Sequence, residues 1–440
     1  MGVTFQKIFN QPSRRCENFC RGDSVDKNLF LYDLAIVAIL KNEGRYLKEW
    51  LDYHLIAGVD HFFLCDNDST DDYEKIIAPY VKAGLVTSSR LSGKSPQFAA
   101  YDFAVRDYKF FCRYMAFVDL DEFIFPRNGQ SISATVDEIL LTKNNAAGLA
   151  VNWQLFGSNG EETADFSRGV LERFTRRAPV DWVVPIPNRD IPGGNAQVKT
   201  IADPRKINFF TSAHFPIYYE GFTAINENGA EVPSYCNDPV TAEKIAINHY
   251  NAKSREEFLG KINKGRAGKA SKYLTLDWFD MYDRNEVFDD EILKYRATRA
   301  ENFSLESDEE KFQRVTDALT KNLSDFALRK ISDMETALTC RAVSSYLREK
   351  FPNDERLKVY EDASVAAVLN SLGGMKFSDV RLLLSALPEI SSLDYPAVDE
   401  LRNTIRLQII PQMMNFMREN EFWREFSELD YLRRLLSVPH

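Results

Sequence analysis

Over the first third of the chain, short uniformly apolar runs alternate with stretches of helical spacing, and a polar turn marks each change. Leu34 to Leu40 is apolar throughout, as a strand covered on both faces requires. Arg45 to Ala57 carries Leu47, Trp50, Leu51 and Leu55 on one helical face, with Gly58 placed to end the helix. His61 to Asp66 reads as a second strand, Asn67 to Asp72 as turn and cap residues, and Tyr73 to Ala83 as a second helix. Leu85 to Ser89 and Pro96 to Phe111 repeat the pair, and Tyr114 to Phe125 follows as one continuous strand. This alternation predicts an α/β fold, an open, mostly parallel sheet flanked by helices. Residues 1–33 form a polar leader without a readable element. Beyond about Asn302 the strand-like runs cease, and Phe312 to Phe351, Glu355 to Leu372 and Val398 to Leu436 predict a C-terminal α-helical region. The expected domains are 34–301 and 302–440.

Ligands of such sheets bind outside the carboxyl ends of the strands, and the polar motifs fall there. Lys41-Asn42-Glu43-Gly44 follows the first strand, Asp66-Asn67-Asp68 the second, and Asp119-Leu120-Asp121 interrupts the apolar run Tyr114 to Phe125. Two Asp side chains flanking one Leu point to the same side of an extended chain. Buried without partners, either would be strongly destabilising, so the pair calls for a cation or strong donors. Hard carboxylate oxygens suit Mg2+ or Mn2+; a polar strand end capped by helix N-termini is the plainer alternative. Neither GxGxxG after the first strand nor GxxxxGK[ST] occurs, so a Rossmann dinucleotide site and a P-loop are both unsupported.

Composition narrows the partners. The chain has 440 residues, 44% of them hydrophobic, enough for sizeable cores, and a net charge of −10 that argues against nucleic acid as main partner. Cys16, Cys20, Cys65, Cys112, Cys236 and Cys340 are scattered without a CxxC pair, so neither a zinc site nor a disulfide framework is expected, and reduced cytoplasm fits best. No apolar segment reaches 18 residues, which leaves peripheral contact at the inner face of a membrane as the only membrane role. One segment reverses the overall charge: Lys253 to Lys272 holds seven Lys or Arg against Glu256 and Glu257, either a solvated helix face or a clamp for an anion.

Five motifs in order resemble those of bacterial glycosyltransferases of the GT-A fold, related to families 2 and 92. They are Lys41-Asn42-Glu43 with Glu49-Trp50-Leu51, Tyr53-His54 and Gly58-Val59; Asp66 to Asp71; Asp119-Leu120-Asp121-Glu122-Phe123; Trp153 with Phe156 to Gly160; and Asn248-His249-Tyr250 followed by Lys253-Ser254, Glu257-Phe258, Lys261 and Gly265. The resemblance implies a GT-A-like sheet and transfer of a sugar from a nucleotide diphosphate donor, typically a UDP-sugar, to a hydroxyl of a glycan or glycolipid acceptor. It implies that Asp121, with Asp119 and His249, holds Mn2+ or Mg2+, and that Asn42, Glu43, Asp66, Lys94 and Asp119 line the donor site. Trp153 and Gly157 fall on the acceptor side. Inverting enzymes of this kind carry a carboxylate base after the acceptor-side strand, where Glu161, Glu162 and Asp165 lie, with Asp181 further off. Surface polysaccharide or lipopolysaccharide biosynthesis is the setting that analogy suggests.

Two other readings stand beside this one. Asp119-Leu120-Asp121 after an apolar strand also resembles the nucleophile motif of haloacid-dehalogenase-like phosphatases, although that motif normally opens the fold. A degenerate transferase acting as a binding module is the non-enzymatic alternative. The apolar faces of the C-terminal helices, Leu401 to Phe416 among them, must be covered; a helical bundle packed on the catalytic domain is expected first and a homodimer through those helices second, with a separate bundle and a membrane surface as the other ways.

Overall fold

The computed structural model describes residues 25–93, 96–185, 192–219, 221–264 and 275–371, with four single positions beyond. The chain divides into two compact units, one built on residues 30–308 and the other on residues from Glu309 onward together with the segment ending at Leu29.

The larger unit is organised around ten paired strands. β1 (Tyr32–Leu40), β2 (His61–Asp66), β3 (Val86–Arg90) and β4 (Cys112–Phe117) form a parallel block in the order β3-β2-β1-β4. The intervening helices are α1 (Gly44–Ile56), α2 (Tyr73–Lys82) and α3 (Gln97–Tyr108). Gly58 ends the first turn sequence at φ 97, a conformation that glycine adopts without strain. β5 (Glu122–Pro126), β6 (Ala146–Leu155), β7 (Val198–Ala202), β8 (Thr223–Ile225), β9 (Glu231–Val232) and β10 (Ile245–His249) extend the sheet beyond β4. β7 runs antiparallel between β4 and β6, while β10 bridges β5 and β6. Parallel pairings outnumber antiparallel ones, so the sheet is open, mixed and mostly parallel, as the alternation predicts.

One element differs from expectation. The run Tyr114 to Phe125 is two strands, because the chain leaves β4 at Phe117 and takes a new partner, β10, from Glu122. Residues 118–121 keep the alternation that made the run look continuous: Val118 and Leu120 are buried in the core, while Asp119 and Asp121 face the other way. The turn closes on itself, with Glu122 N donating to Asp119 O at 3.1 Å and Asp119 N to a Glu122 carboxylate oxygen at 2.8 Å.

β5 has β10 on one edge and no strand on the other. That second edge is met by side chains of α1. Trp50 Nε1 donates to Glu122 O at 2.8 Å, Tyr53 Oη donates to Ile124 O at 2.8 Å, and Ile124 N donates to His54 Nε2 at 3.3 Å. His54 Nδ1 carries the proton and donates to Trp50 O at 2.9 Å, which fixes a neutral ring. All three side chains are buried, so each bond replaces one that water cannot make. The Trp-x-x-Tyr-His pattern of α1 thus serves the strand that follows Asp121.

In the second unit, Asp308–Ala327, Met334–Lys350 and Glu355–Ser371 are helices. The run Phe312 to Phe351 is therefore broken rather than continuous: Arg329 takes φ 56, and Asp333 caps the next helix by accepting Thr336 N at 2.7 Å. Leu29 is fully buried there, and Asp26 pairs with Lys321 at 3.0 Å, so the end of the leader belongs to this unit. The run Val398 to Leu436 lies outside the described residues apart from single positions. Among the described residues no helix is long and apolar enough to cross a membrane.

Two outcomes are expected from the α1–β5 contact. Tyr53→Phe leaves Ile124 O without a donor and should lower unfolding stability by about 1–3 kcal/mol, read as a lower urea midpoint at unchanged m-value. Burial pushes His54 from its ordinary 6.5 down to about 3. The unfolded chain therefore takes up a proton that the folded chain refuses, and stability falls as pH drops from about 6.5 toward 3. His54→Gln should flatten that slope by up to about 1.4 kcal/mol per pH unit, measured by urea unfolding between pH 7 and 5.

Candidate functional site

The carboxyl ends of β1, β2 and β4 open on one side of the sheet, and the loops leaving them are tied together. Asn42, at φ 52, donates its N–H to Ser69 Oγ at 2.9 Å and accepts Thr70 N at 2.6 Å, joining the loop after β1 to that after β2. Asp66 is buried, accepts Ser69 N at 2.9 Å and lies 3.7 Å from Arg90 Nε. Asp66 thus shapes its own turn while ending β2. Glu43 precedes α1 without capping it by its side chain. Lys94 lies outside the described residues.

Asp119 and Asp121 have separate partners. Asp119 accepts Gln97 Nε2 on one oxygen at 2.9 Å and Lys199 Nζ on the other at 2.8 Å. Lys199 comes from β7, is wholly buried, and also stands 3.5 Å from Glu122. Burial pushes the Asp119 carboxyl up, but Lys199 outweighs it and holds the group below its ordinary range. Glu122, with no exposure at all, is driven well up by burial against the pull of the same lysine. Asp121 faces His249, with Nε2 3.5 Å from Oδ1, while Lys261 Nζ donates to Oδ2 at 2.7 Å. Burial raises Asp121 too, and Lys261 and His249 together reverse that, keeping it well below the usual carboxylate value. Burial lowers His249 against the attraction of Asp121.

The contact between Asp121 and His249 follows from register. Glu122 pairs with His249 across β5 and β10, and Tyr250 N donates to Asp121 O at 2.8 Å, so the two side chains must meet at the strand ends. Trp153 of β6 backs the imidazole, ring centroids 4.2 Å apart, and His214 packs on its indole at 5.1 Å. Lys261 is also held by Asn251, through its side-chain oxygen and through its carbonyl at 3.4 Å. An ammonium ion therefore already sits among the oxygens of Asp121 and Asn251. His249 Nδ1 is buried with no partner among the described residues.

This donor set suits a divalent cation of the Mg2+ or Mn2+ kind, which typically takes one or two protein ligands and completes its shell with water and substrate phosphate. No group of three or more His, Cys, Asp and Glu disposed around one point occurs among the described residues. Asp119 is bound by Gln97 and Lys199, whereas Asp121 faces the second candidate ligand, His249.

The acceptor-side residues are placed differently from one another. Gly157 is in close backbone contact: a Cβ there would lie 2.4 Å from Arg284 O and 2.5 Å from Asn285 Oδ1. Ser158 N and Asn159 N donate to Asp283 and Asn285 at 2.6 and 2.7 Å, which anchors the loop. Of the three carboxylates after it, Glu161 pairs with the buried Arg173 at 2.9 Å and with Arg168 at 3.3 Å. Asp165 accepts from Ser167 and Arg168, bonds that take it down to about 2 and make it a poor proton acceptor. Glu162 is exposed, and its carbonyl receives Glu256 N, just as Glu161 O receives Arg255 N. The loop thus fastens the start of the helix Arg255–Lys264 that carries Lys261. Asp181 is exposed in the turn after Pro179.

Sequence reasoning missed Lys199, Gln97 and Asn251. A lysine inside the strand-like run Val198 to Ala202 was the one available signal, since a charge there needs a buried partner.

Residues 38–316 match the model of glycosyltransferase family 92. A family 92 glycosyltransferase of Ricinus communis is 26% identical over 252 residues, covering 56% of this chain and 39% of its own length. Another from Oryza sativa subsp. japonica is 25% identical over 256 residues, covering 57% and 37%. A galactan beta-1,4-galactosyltransferase of Arabidopsis thaliana is 24% identical over 102 residues, 21% of each chain. The chain thus spans under two fifths of the length of the first two curated relatives. Among solved structures, S. aureus TarS 1-349 alone and in complex with UDP-GlcNAc share 13% and 14% identity with TM-scores of 0.29 and 0.31, each covering 78% of this chain and 93% of theirs. Those scores are too low to bear on the site. The family match covers well over half of the sequence, and the chain belongs to glycosyltransferase family 92.

Proposed function

We propose that this chain transfers a sugar from a nucleotide diphosphate donor, a UDP-sugar, to a hydroxyl group of a glycan acceptor, with a divalent cation at the Asp121–His249 corner. The observation that carries the reading is that corner itself: an ionised carboxylate and a neutral imidazole 3.5 Å apart at the strand ends, with the Lys261 ammonium held in their midst. Family membership supplies the reaction class, and the five motifs that resemble GT-A enzymes are what suggest a UDP-sugar as donor.

Asp121 and His249 would hold Mn2+ or Mg2+, and a cation there neutralises negative charge growing on the departing diphosphate. Asp121 is kept ionised by its neighbours, the state a ligand needs. His249 stays neutral, its lone pair available. Lys199 and Gln97 hold Asp119 in place, which fits orienting a ribose hydroxyl or a bound water better than direct ligation. Asn42, Glu43 and Asp66, on the loops tied after β1 and β2, fit the nucleoside end of the donor, and Trp153 closes the floor behind the imidazole. None of Glu161, Glu162 and Asp165 stands out as base, so inversion and the identity of the base stay outside this proposal. A phosphatase reading would need Asp119 as nucleophile, and its oxygens are already bound to Gln97 and Lys199.

Two results are expected. Asp121→Asn should fold with a melting temperature near that of the parent and lose at least about 100-fold in Mn2+-dependent UDP-sugar turnover, followed as UDP release. Turnover at the parent rate would remove the ligand assignment, and phosphomonoester cleavage in place of UDP release would favour the phosphatase. Lys261→Met should bind Mn2+ about tenfold more tightly than the parent in the absence of donor, measured by electron paramagnetic resonance of free Mn2+, because the competing ammonium is gone. Equal or weaker binding would place the cation elsewhere.

A further inference from the structure

Lys253 lies four residues beyond His249 and is 8% exposed. Its backbone occupies the left-handed region at φ 53, which costs a residue with a long side chain roughly 1–2 kcal/mol. Asn42, Asp68 and Asn159 take the same conformation in this unit, but they are of the residue types that tolerate it. The Lys253 ammonium sits over the Tyr46 ring, 4.6 Å from its centroid, and Tyr46 Oη is in turn bound to Glu257 at 2.9 Å. No carboxylate among the described residues pairs with Lys253 Nζ.

Two of the three acids that attract it are committed elsewhere. Asp121 exerts the strongest attraction on Lys253, followed by Glu43 and Glu257, with Lys261 opposing. Yet the Asp121 oxygens already face Lys261 and His249, and Glu257 is bound to Arg173 at 2.7 Å and to the Ser254 hydroxyl at 2.6 Å. A buried ammonium without a counter-ion is costly, and a strained backbone adds to that cost. Protein structures retain such a combination where a ligand supplies the missing charge. The side chain is largely withdrawn from solvent, and the Tyr46 face offers only part of what a paired carboxylate would.

We propose that Lys253 is the contact for a diphosphate group, receiving its oxygens beside Asp121. That the diphosphate belongs to a nucleotide donor rests on the function proposed above; that the position takes an anion does not.

The test uses inorganic pyrophosphate and the full chain without divalent metal, by isothermal titration calorimetry. Pyrophosphate should bind the parent, and both Lys253→Met and Lys253→Gly should lose at least tenfold in affinity. Lys253→Gly should also melt no lower than the parent, because glycine accepts φ 53 and an unpaired buried charge is removed. A parent that binds no pyrophosphate overturns the assignment. So does a folded variant that binds it as the parent does, and so does Lys253→Gly melting several degrees lower, which would make the lysine structural. UDP in place of pyrophosphate separates the two claims. If the parent prefers UDP no more than pyrophosphate while the Lys253 dependence persists, the anion site stands and the nucleotide reading falls.

Discussion

An ionised carboxylate buried at the end of a strand has to be answered by polar partners and positive charge, and at Asp121 they come from three directions. β10 brings His249 by register, the helix Arg255–Lys264 brings Lys261, and Lys253 contributes from the segment between. A carboxylate withdrawn from water is costly unless partners of this kind are in place. The placement of β5, of β10 and of that helix is therefore one problem with one solution. α1 takes part without touching the carboxylate: Trp50, Tyr53 and His54 hold the free edge of β5, and a strand so fixed cannot let its first residues drift.

The same logic explains the neighbouring charges. Arg173 is almost fully buried between Glu161 and Glu257, and Glu257 also accepts from Tyr46 and Ser254. This network couples the loop after β6 to the start of the Lys261 helix, so Glu161, a candidate base by position, is part of the frame. Glu49 does likewise, accepting Val170 N at 2.6 Å and Leu171 N at 3.2 Å.

Much of the parallel block was legible because its signals are local. Buried strands such as Leu34 to Leu40 and His61 to Asp66 are short apolar runs, and the helix Arg45 to Ala57 has a single apolar stripe closed by Gly58. The break between β4 and β5 was hidden because Val118 and Leu120 continue the in-and-out alternation through the turn; only a change of hydrogen-bonding partner marks it. Pairing between distant residues left little trace: Lys199 meets Asp119 across 80 positions, and Lys261 meets Asp121 across 140. The motif Trp50, Tyr53, His54 was visible, but its work on the β5 backbone required the fold. Charge counting found the basic run from Lys253, but gave no sign that Lys253 and Lys261 turn inward.

The divalent cation proposed for Asp121 and His249 would take the place of the Lys261 ammonium. Anomalous diffraction at the manganese edge, from crystals grown with MnCl2 and UDP, tests it most directly. One peak is expected, about 2.1 Å from an Asp121 oxygen and from His249 Nε2, with Lys261 withdrawn from the carboxylate. A peak elsewhere, or Lys261 still bound to Asp121 with no metal between the carboxylate and the imidazole, would contradict it.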